Sequence, residues 1–546
     1  MMDETYNLAD EPWICLLSRD GKVTKDGLKK VFLNAQNYLD LGGEMRLQDM
    51  AVLRLLIAIS VTILYRYDSD GNKSYLKDWQ DALQRFADVW KAGCFSRKAV
   101  ADYFEEWHDR FELFSEDNPF FQISLKGLEM INDTECPDGK KPLFSNGVFM
   151  KWLPIANING RIQRSDNKPN TPYKDLSGSA ADEIDADEAA RWLLFYNAYA
   201  DCSVGKRQNF IDQSGEKQSA NAEMTLPSKG ALITPVGNNL FETIMLNSVL
   251  LDPDRHQLHN TYIPVWEENR NDEEIIKGRP IPDDLARMYT QQARRISLVR
   301  RGSKVIGAFA SAGESYSNDM LWMEPAFMIQ QVKDKETKMT VNAPMQCRSG
   351  VDIWREIEHI AGDNGASITR WINLLQQNEE ILSEDRVVQF RVTCISYGSM
   401  NCGIQTMTED NIILSRQFLE DSDLQADALD EIERIEELSK VLNSFGNKCA
   451  RCLNHDSKDT RIGKMLAEQY YSSVGHEFRR YLTGDTTVQM LREAEFQLAR
   501  ETADQFVKDN IKALLRGKSG KNGMYLGKAE ADLKSDMYRL ERKTHG

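Results

Sequence analysis

The segment MRLQDMAVLRLLIAISVTILYRY, residues 45–67, constrains the fold of this chain more than any other. It is apolar on nearly every side of a helix, with Arg54 the one charge inside the run AVLRLLIAISVTILY. A helix that is apolar all round must be covered all round. Because Arg54 interrupts the run, it falls short of the ~18 uninterrupted apolar residues that mark a membrane span. The expectation is a core helix inside a large globular domain. A chain of 546 residues, 41% hydrophobic and 28% charged, can supply that cover and leave room for a further domain.

The rest of the chain sorts by period. LKDWQDALQRFADVWKAG and RKAVADYFEEWHDRFELF are amphipathic helical segments, the first stopped by Gly93. Between about 140 and 240, Gly, Asn, Ser, Asp and Pro alternate with short apolar runs, which predicts long loops and brief strands. Residues 296–310 and 386–408 alternate as strands do, with a helix expected over GVDIWREIEHIAGD and another around Trp371. After residue 410, Ala428, Ile432, Ile435, Leu438, Leu442 and Phe445 recur at spacings of three and four, and three later segments repeat the pattern. Four amphipathic helices with short connections predict an antiparallel bundle. The expected fold is α+β, with a mixed domain of short sheets and long loops over 1–410 and a four-helix bundle over 411–546.

Charge and cysteine usage narrow the function classes. The net charge of −16 disfavours coating nucleic acid by bulk attraction. Local basic groups remain: Lys206 and Arg207; Arg294, Arg295, Arg300, Arg301 and Lys304; and Lys508, Lys512, Arg516, Lys518, Lys521 and Lys528. Each group alone reads equally as a solvated face. Nine scattered cysteines without framework spacing suit a reducing compartment. The acidic start MMDETYNLADEPW lacks the basic and apolar regions of a signal peptide, so the expected location is cytoplasmic, with no membrane partner.

Catalytic motifs are thin. Cys449, Cys452 and His455 in CARCLNH offer three metal donors, one short of a structural zinc set, in a segment expected to be helical. His476 and Glu477 resemble half of a zincin motif, but Arg480 stands where the second histidine belongs. No phosphate-cradling glycine motif is present. The stretch YGSMN, 397–401, reads as the tip of a hairpin in which Gly398, Ser399 and Asn401 serve the turn and Met400 does not.

Six segments in order carry a resemblance: YNLADEPWI at 6–14, DRFELFSEDNPFFQ at 109–122, EAARWLLFYNAYA at 188–200, NLFETIMLNSVLL at 239–251, PVWE at 264–267 and QQARRISLVRRGSKVIG at 291–307. Together they resemble the CasA family, the large subunit of the type I-E CRISPR surveillance complex Cascade. The resemblance implies an antiviral, non-catalytic subunit without cofactor or metal. It implies recognition of the protospacer-adjacent motif in duplex DNA, strand separation for R-loop formation, and recruitment of a helicase-nuclease effector. The implied partners are the other Cascade subunits, CRISPR RNA, double-stranded target DNA and that effector. A division in which protein reads a short motif and RNA reads the rest has a physical basis, and it needs only local basic contacts.

Carried onto this chain, the family's motif loop falls on Ser203, Val204, Gly205 and Lys206. Its wedge hairpin falls on Ser399, Met400, Asn401 and Cys402. Met400 would unstack a base step and Asn401 would bond minor-groove acceptors. A loop that contacts the guide RNA and a neighbouring subunit falls on Tyr173 and Lys174. The family's groove lysine has no counterpart in AFASAGESYSNDMLWMEP, 308–325, so either Lys304 serves or the motif is read differently. Arg207, Arg294, Arg295, Arg301, Lys304, Lys508, Lys512 and Arg516 are candidate contacts to DNA backbone. Two other classes stay open: a metal-dependent hydrolase built on Cys449, Cys452 and His455, and a pure scaffold of a nucleoprotein complex.

Overall fold

The computed structural model describes residues 5–126, 150–159, 183–202, 207–211, 217–220, 222–259, 261–268, 281–317, 321–334, 338–346, 348, 350–361, 365–377, 381–382, 387–401, 403–453, 460–516 and 524–543. Over 207–211 and 217–220 the description is of backbone alone. The chain forms two compact units: Met1–Val351 with Asn364–Glu384 and Gln389–Asn411, and Asp352–Asp363 with Asp385–Val388 and Ile412–Gly546. The architecture is α+β, with short antiparallel sheets in the first unit and long helices in the second.

In the first unit the helix Arg46–Arg66 is the centre of the core. Every residue from Leu47 to Leu64 is buried, so its length and apolarity are spent on packing inside the unit. Helices Ala186–Tyr199, Leu240–Asn247 and Leu285–Tyr289 pack around it. Full burial of each large aliphatic side chain contributes about 1.5–3 kcal/mol, which makes this helix the main apolar reservoir of the unit. Arg54 is neutralised in place: it pairs with buried Glu324 at 2.8 Å and its guanidinium lies 3.9 Å from the centre of the Tyr289 ring. Gly93 closes the helix Trp79–Ala92 in the left-handed conformation (φ 66°), which costs a residue without Cβ little.

Three of the sheets among the described residues have three strands each. Ile14–Ser18 lies between Val23–Asp26 and Tyr38–Leu41; Lys304–Ala312 lies between Arg294–Arg301 and Lys151–Pro154; Val388–Tyr397 lies between Ile404–Leu414 and Leu232–Val236. The alternation expected over 386–408 is realised in the hairpin Val388–Tyr397 and Ile404–Leu414, whose first strand buries Phe390, Val392 and Ile395.

The second unit contains four long helices, Ser422–Cys452, Arg461–Leu482, Val488–Leu514 and Leu526–Lys543, preceded by the short helix Arg416–Glu420. The stripe Ala428, Ile432, Ile435, Leu438, Leu442 and Phe445 is buried as its spacing predicts. Asp421 accepts from the amides of Asp423 and Leu424 to cap the first helix, and Thr487 caps the third. The first two helices touch backbone to backbone, since a Cβ on Gly446 would sit 2.6 Å from the Cα of Gly463. One expectation is corrected here. GVDIWREIEHIAGD forms a short 3-10 segment, Ile353–His359, broken at Glu356. The Trp354 ring lies 4.9 Å from that of Phe478 and against Gly475, and this packing overrides the local preference for a regular helix.

Two carboxylates lie in the bundle interior. Glu431 and Glu495 are both fully buried, on the first and third helices. Arg434 donates to Glu431 and stands 3.8 Å from Glu495, while Arg492 meets Glu431 at 2.8 Å. Burial and the neighbouring Glu431 charge push the Glu495 carboxyl well above the usual carboxylate range.

Candidate nucleic-acid interface

The tip of the Val388–Tyr397 and Ile404–Leu414 hairpin projects from a buried base. It is closed by two bonds, from the Gly398 amide to the Gly403 carbonyl (2.9 Å) and from the Asn401 amide to the Gly398 carbonyl (3.0 Å). Met400 (φ 57°), Asn401 (φ 55°) and Gly403 (φ 70°) all take left-handed backbone. Glycine does so freely and asparagine with little strain, whereas a methionine there costs about 1–2 kcal/mol. Its side chain recovers none of that by burial, for Met400 is 86% exposed. An apolar side chain held in strained backbone at an exposed apex is a feature that stability alone does not explain.

Beside this tip lies the end of the helix Ala186–Tyr199. Its first turn carries Asp187 and Glu188, favourable at a helix N-terminus, and buried Arg191 pairs with Glu44 at 2.6 Å. At the other end the chain leaves along the hairpin tip. The Tyr397 hydroxyl donates to the Tyr199 carbonyl (2.7 Å), the Cys202 amide donates to the Asn401 carbonyl (3.0 Å), and the Gly403 amide donates to Oδ2 of Asp201 (2.7 Å). Arg294 donates from below to the carbonyls of Ala200 and Asp201, each at 2.9 Å. Residue 203 therefore starts one peptide bond from a residue attached to the tip.

An open cleft of about 820 Å³ runs along the same place, lined by Cys202, Glu223, Lys229, Gln346, Met400 and Asn401 among others. Lys229 ends the 3-10 turn Leu226–Lys229. Partial burial lowers its ammonium pKa, and Glu223 partly opposes that.

The family model described as CRISPR-associated protein Cse1 matches residues 7–509. The chain belongs to the Cse1 family. A curated relative from Thermus thermophilus, CRISPR-associated protein CasA/Cse1, is 27% identical over 310 residues, 55% of this chain. That match spans half the length of the relative. Among solved structures, Thermobifida fusca Cse1 superposes with a TM-score of 0.78 at 21% identity, covering 98% of both chains. Cse1 from Acidimicrobium ferrooxidans gives 0.73 at 19% identity, over 100% of this chain and 99% of its own. At these identities the superpositions establish a shared Cse1 fold.

On this Cse1-family scaffold the sequence candidates separate into three groups. Ser399, Met400 and Asn401 stand at the exposed tip. Ser203, Val204, Gly205, Lys206, Cys402, Tyr173 and Lys174 lie outside the described residues, as does His455; for Arg207 the backbone opens the strand Arg207–Ile211. Arg301 and Lys304 are at the surface, Lys304 in an ion pair with Asp185 at 2.6 Å. Lys508, Lys512 and Arg516 are exposed on and just beyond the third bundle helix.

Arg294 and Arg295 are corrections. Read from ARRISLVRR as surface cations, both are buried, at 1% and 6% exposure, because the first half of their strand runs against the end of the Ala186–Tyr199 helix. Arg294 serves carbonyl groups of the chain itself and is not available to phosphates. Cys449 and Cys452 are buried on the first bundle helix. Burial pushes the Cys449 thiol up to about 12 and raises that of Cys452, the opposite of what a metal-binding thiolate needs. Among the described residues, no three His, Cys, Asp or Glu side chains converge as a metal site. Lys229 was missed by sequence reasoning. A single lysine in TLPSKGAL carries no pattern, and only the fold brings it to the cleft that Met400 also lines.

Proposed function

We propose that this Cse1-family chain is the large, non-catalytic subunit of a type I-E RNA-guided surveillance complex, acting in the cytoplasm. In this reading the unit built mainly from 1–410 recognises the protospacer-adjacent motif and docks on the guide complex, and the four-helix bundle over 411–546 completes the subunit. Residues 203–206 approach the motif in duplex DNA. Met400 enters the base step beneath it, and Asn401 bonds the acceptors of the minor groove. Unstacking a step costs a few kcal/mol, offset by groove and backbone contacts. Strand separation then lets the guide RNA pair in a near-balanced exchange. Other subunits, CRISPR RNA, double-stranded target DNA and a helicase-nuclease effector are the partners. Lys229, on the cleft beside the tip, supplies the cation that 308–325 lacks, and Lys508, Lys512 and Arg516 follow backbone phosphates.

The observation that carries the reading is the strained, 86% exposed Met400 on a tip bonded to the root of the 203–206 loop. The test is the double substitution Met400→Ala with Asn401→Ala in the assembled complex. Permanganate footprinting of the target duplex should lose reactivity next to the motif, while size exclusion still gives full assembly. An unchanged footprint would falsify the wedge role.

A further inference from the structure

We propose that Glu223 is a specificity-determining residue of the cleft that Met400 and Asn401 line. It accepts a hydrogen bond from the exocyclic amine of guanine in the minor groove, while Lys229 donates to an acceptor of the same base pair. Together they read G·C at one position of the motif. The inference rests on the proposal that this cleft meets duplex DNA, and deepens it by naming the base pair that fits. Among the described residues that line the cleft, Glu223 and Lys229 are the two charged ones, and their signs are opposite. They sense one another, since Glu223 opposes the burial that lowers the Lys229 ammonium. One short, well-held segment presents both side chains. Over 222–230, Ala222, Thr225, Leu226, Pro227, Ser228 and Gly230 are buried, whereas Glu223, Met224 and Lys229 are partly exposed. The Thr225 hydroxyl donates to the Ala198 carbonyl and the Gln346 side-chain amide donates to the Lys229 carbonyl. Just beyond, the Ala231 amide donates to the Met345 carbonyl at 2.7 Å.

The pairing of charges selects the ligand. A cation alone discriminates little, because A·T and G·C both present acceptors in the minor groove. The guanine amine is the one donor there, and an ionised carboxylate only accepts. With about four lone-pair sites, a carboxylate bonded inside the chain keeps others for a base. Opposite A·T the same carboxylate meets acceptors and gives up water without replacement, which is unfavourable. Glu223 and Lys229 sum to zero charge, so as a pair they add little attraction for phosphates. Their contribution is the choice of base pair.

The experiment measures binding of the assembled complex, with guide RNA, to duplexes that vary one motif pair at a time among G·C, inosine·C, A·T and 2,6-diaminopurine·T. Inosine lacks the minor-groove amine of guanine and diaminopurine adds it to adenine, and both leave the major-groove edge as it was. At one motif position the parent should bind G·C and diaminopurine·T about ten-fold tighter than inosine·C and A·T. Glu223→Ala should bring the four duplexes to within about two-fold of one another. Glu223→Gln should do the same, because its amide keeps the shape and can turn a donor toward A·T. A merely structural defect lowers all four alike and keeps their ratio. The assignment is overturned if the amine carries no preference at any motif position of the parent, or if either variant retains the parental preference. If Glu223→Ala, Lys229→Ala and the Met400→Ala, Asn401→Ala pair all bind and open every duplex like the parent, the cleft does not meet DNA. The reading beneath the inference then falls with it.

Discussion

Replacing Glu495 by glutamine probes the buried charge of the helical unit. Neither carboxylate oxygen meets a protein hydrogen-bond donor, yet the group lies within bonding reach of the Glu431 carboxyl. Two carboxyls can bond only if they share a proton, and burial, the larger cause, also favours the neutral form. The folded pKa is thus raised above the unfolded value of ~4.3. Its contribution to stability is full below that value and falls by about 1.4 kcal/mol per pH unit as pH rises toward the folded pKa. By pH 7 the loss reaches at most ~4 kcal/mol. Glutamine stays neutral throughout, and its amide can donate to Glu431. The expected result is near-equal stability of parent and Glu495→Gln at pH 5, and a variant more stable by about 2–4 kcal/mol at pH 7–8. For a unit of this size that is roughly 5–15 °C in Tm. The assay is thermal unfolding of the full chain by far-UV circular dichroism at fixed ionic strength across pH 5–8. Parallel curves for the two proteins would refute the reasoning. They would mean that Glu495 is ionised in the folded state, held by Arg434 at 3.8 Å.

Three further outcomes are expected. Gly446→Ala gains up to about 1 kcal/mol of helix propensity but forces a Cβ onto the backbone of Gly463, and should lower stability by about 1–3 kcal/mol in urea unfolding. Arg294→Met fills similar space but leaves the Ala200 and Asp201 carbonyls without their donor, and should cost about 2–5 kcal/mol by the same measurement. Lys229→Ala should weaken duplex binding by the assembled complex and reduce the slope of log affinity against log salt by about one; an unchanged slope would remove Lys229 from the interface.

The features legible in the sequence are those that repeat. The all-round apolarity of 45–67 and the three-and-four spacing from Ala428 to Phe445 translate directly into burial. Alternation along 386–408 gives the hairpin, and Met400 marks its tip. Single residues placed by tertiary contact are not legible. Arg294 looks like any basic strand residue until the Ala186–Tyr199 helix is set against it. Lys229 joins the tip residues in lining one cleft from a turn more than 150 residues upstream. Glu495 is an intermediate case, since Leu491, Glu495 and Ala499 share one helix face, and a carboxylate inside an apolar stripe is a readable signal.

The core helix also sets a problem for synthesis. Arg46–Arg66 emerges from the ribosome long before its cover, since Leu240–Asn247 and Leu285–Tyr289 are made up to about 220 residues later. At ordinary elongation rates that interval is roughly 10–45 s. Throughout it, the nascent chain displays a segment apolar enough to pass for a membrane span, with Arg54 near its middle, whose partner Glu324 is made later still. Until the first unit closes, that helix exposes apolar surface of the kind that makes folding intermediates prone to aggregate.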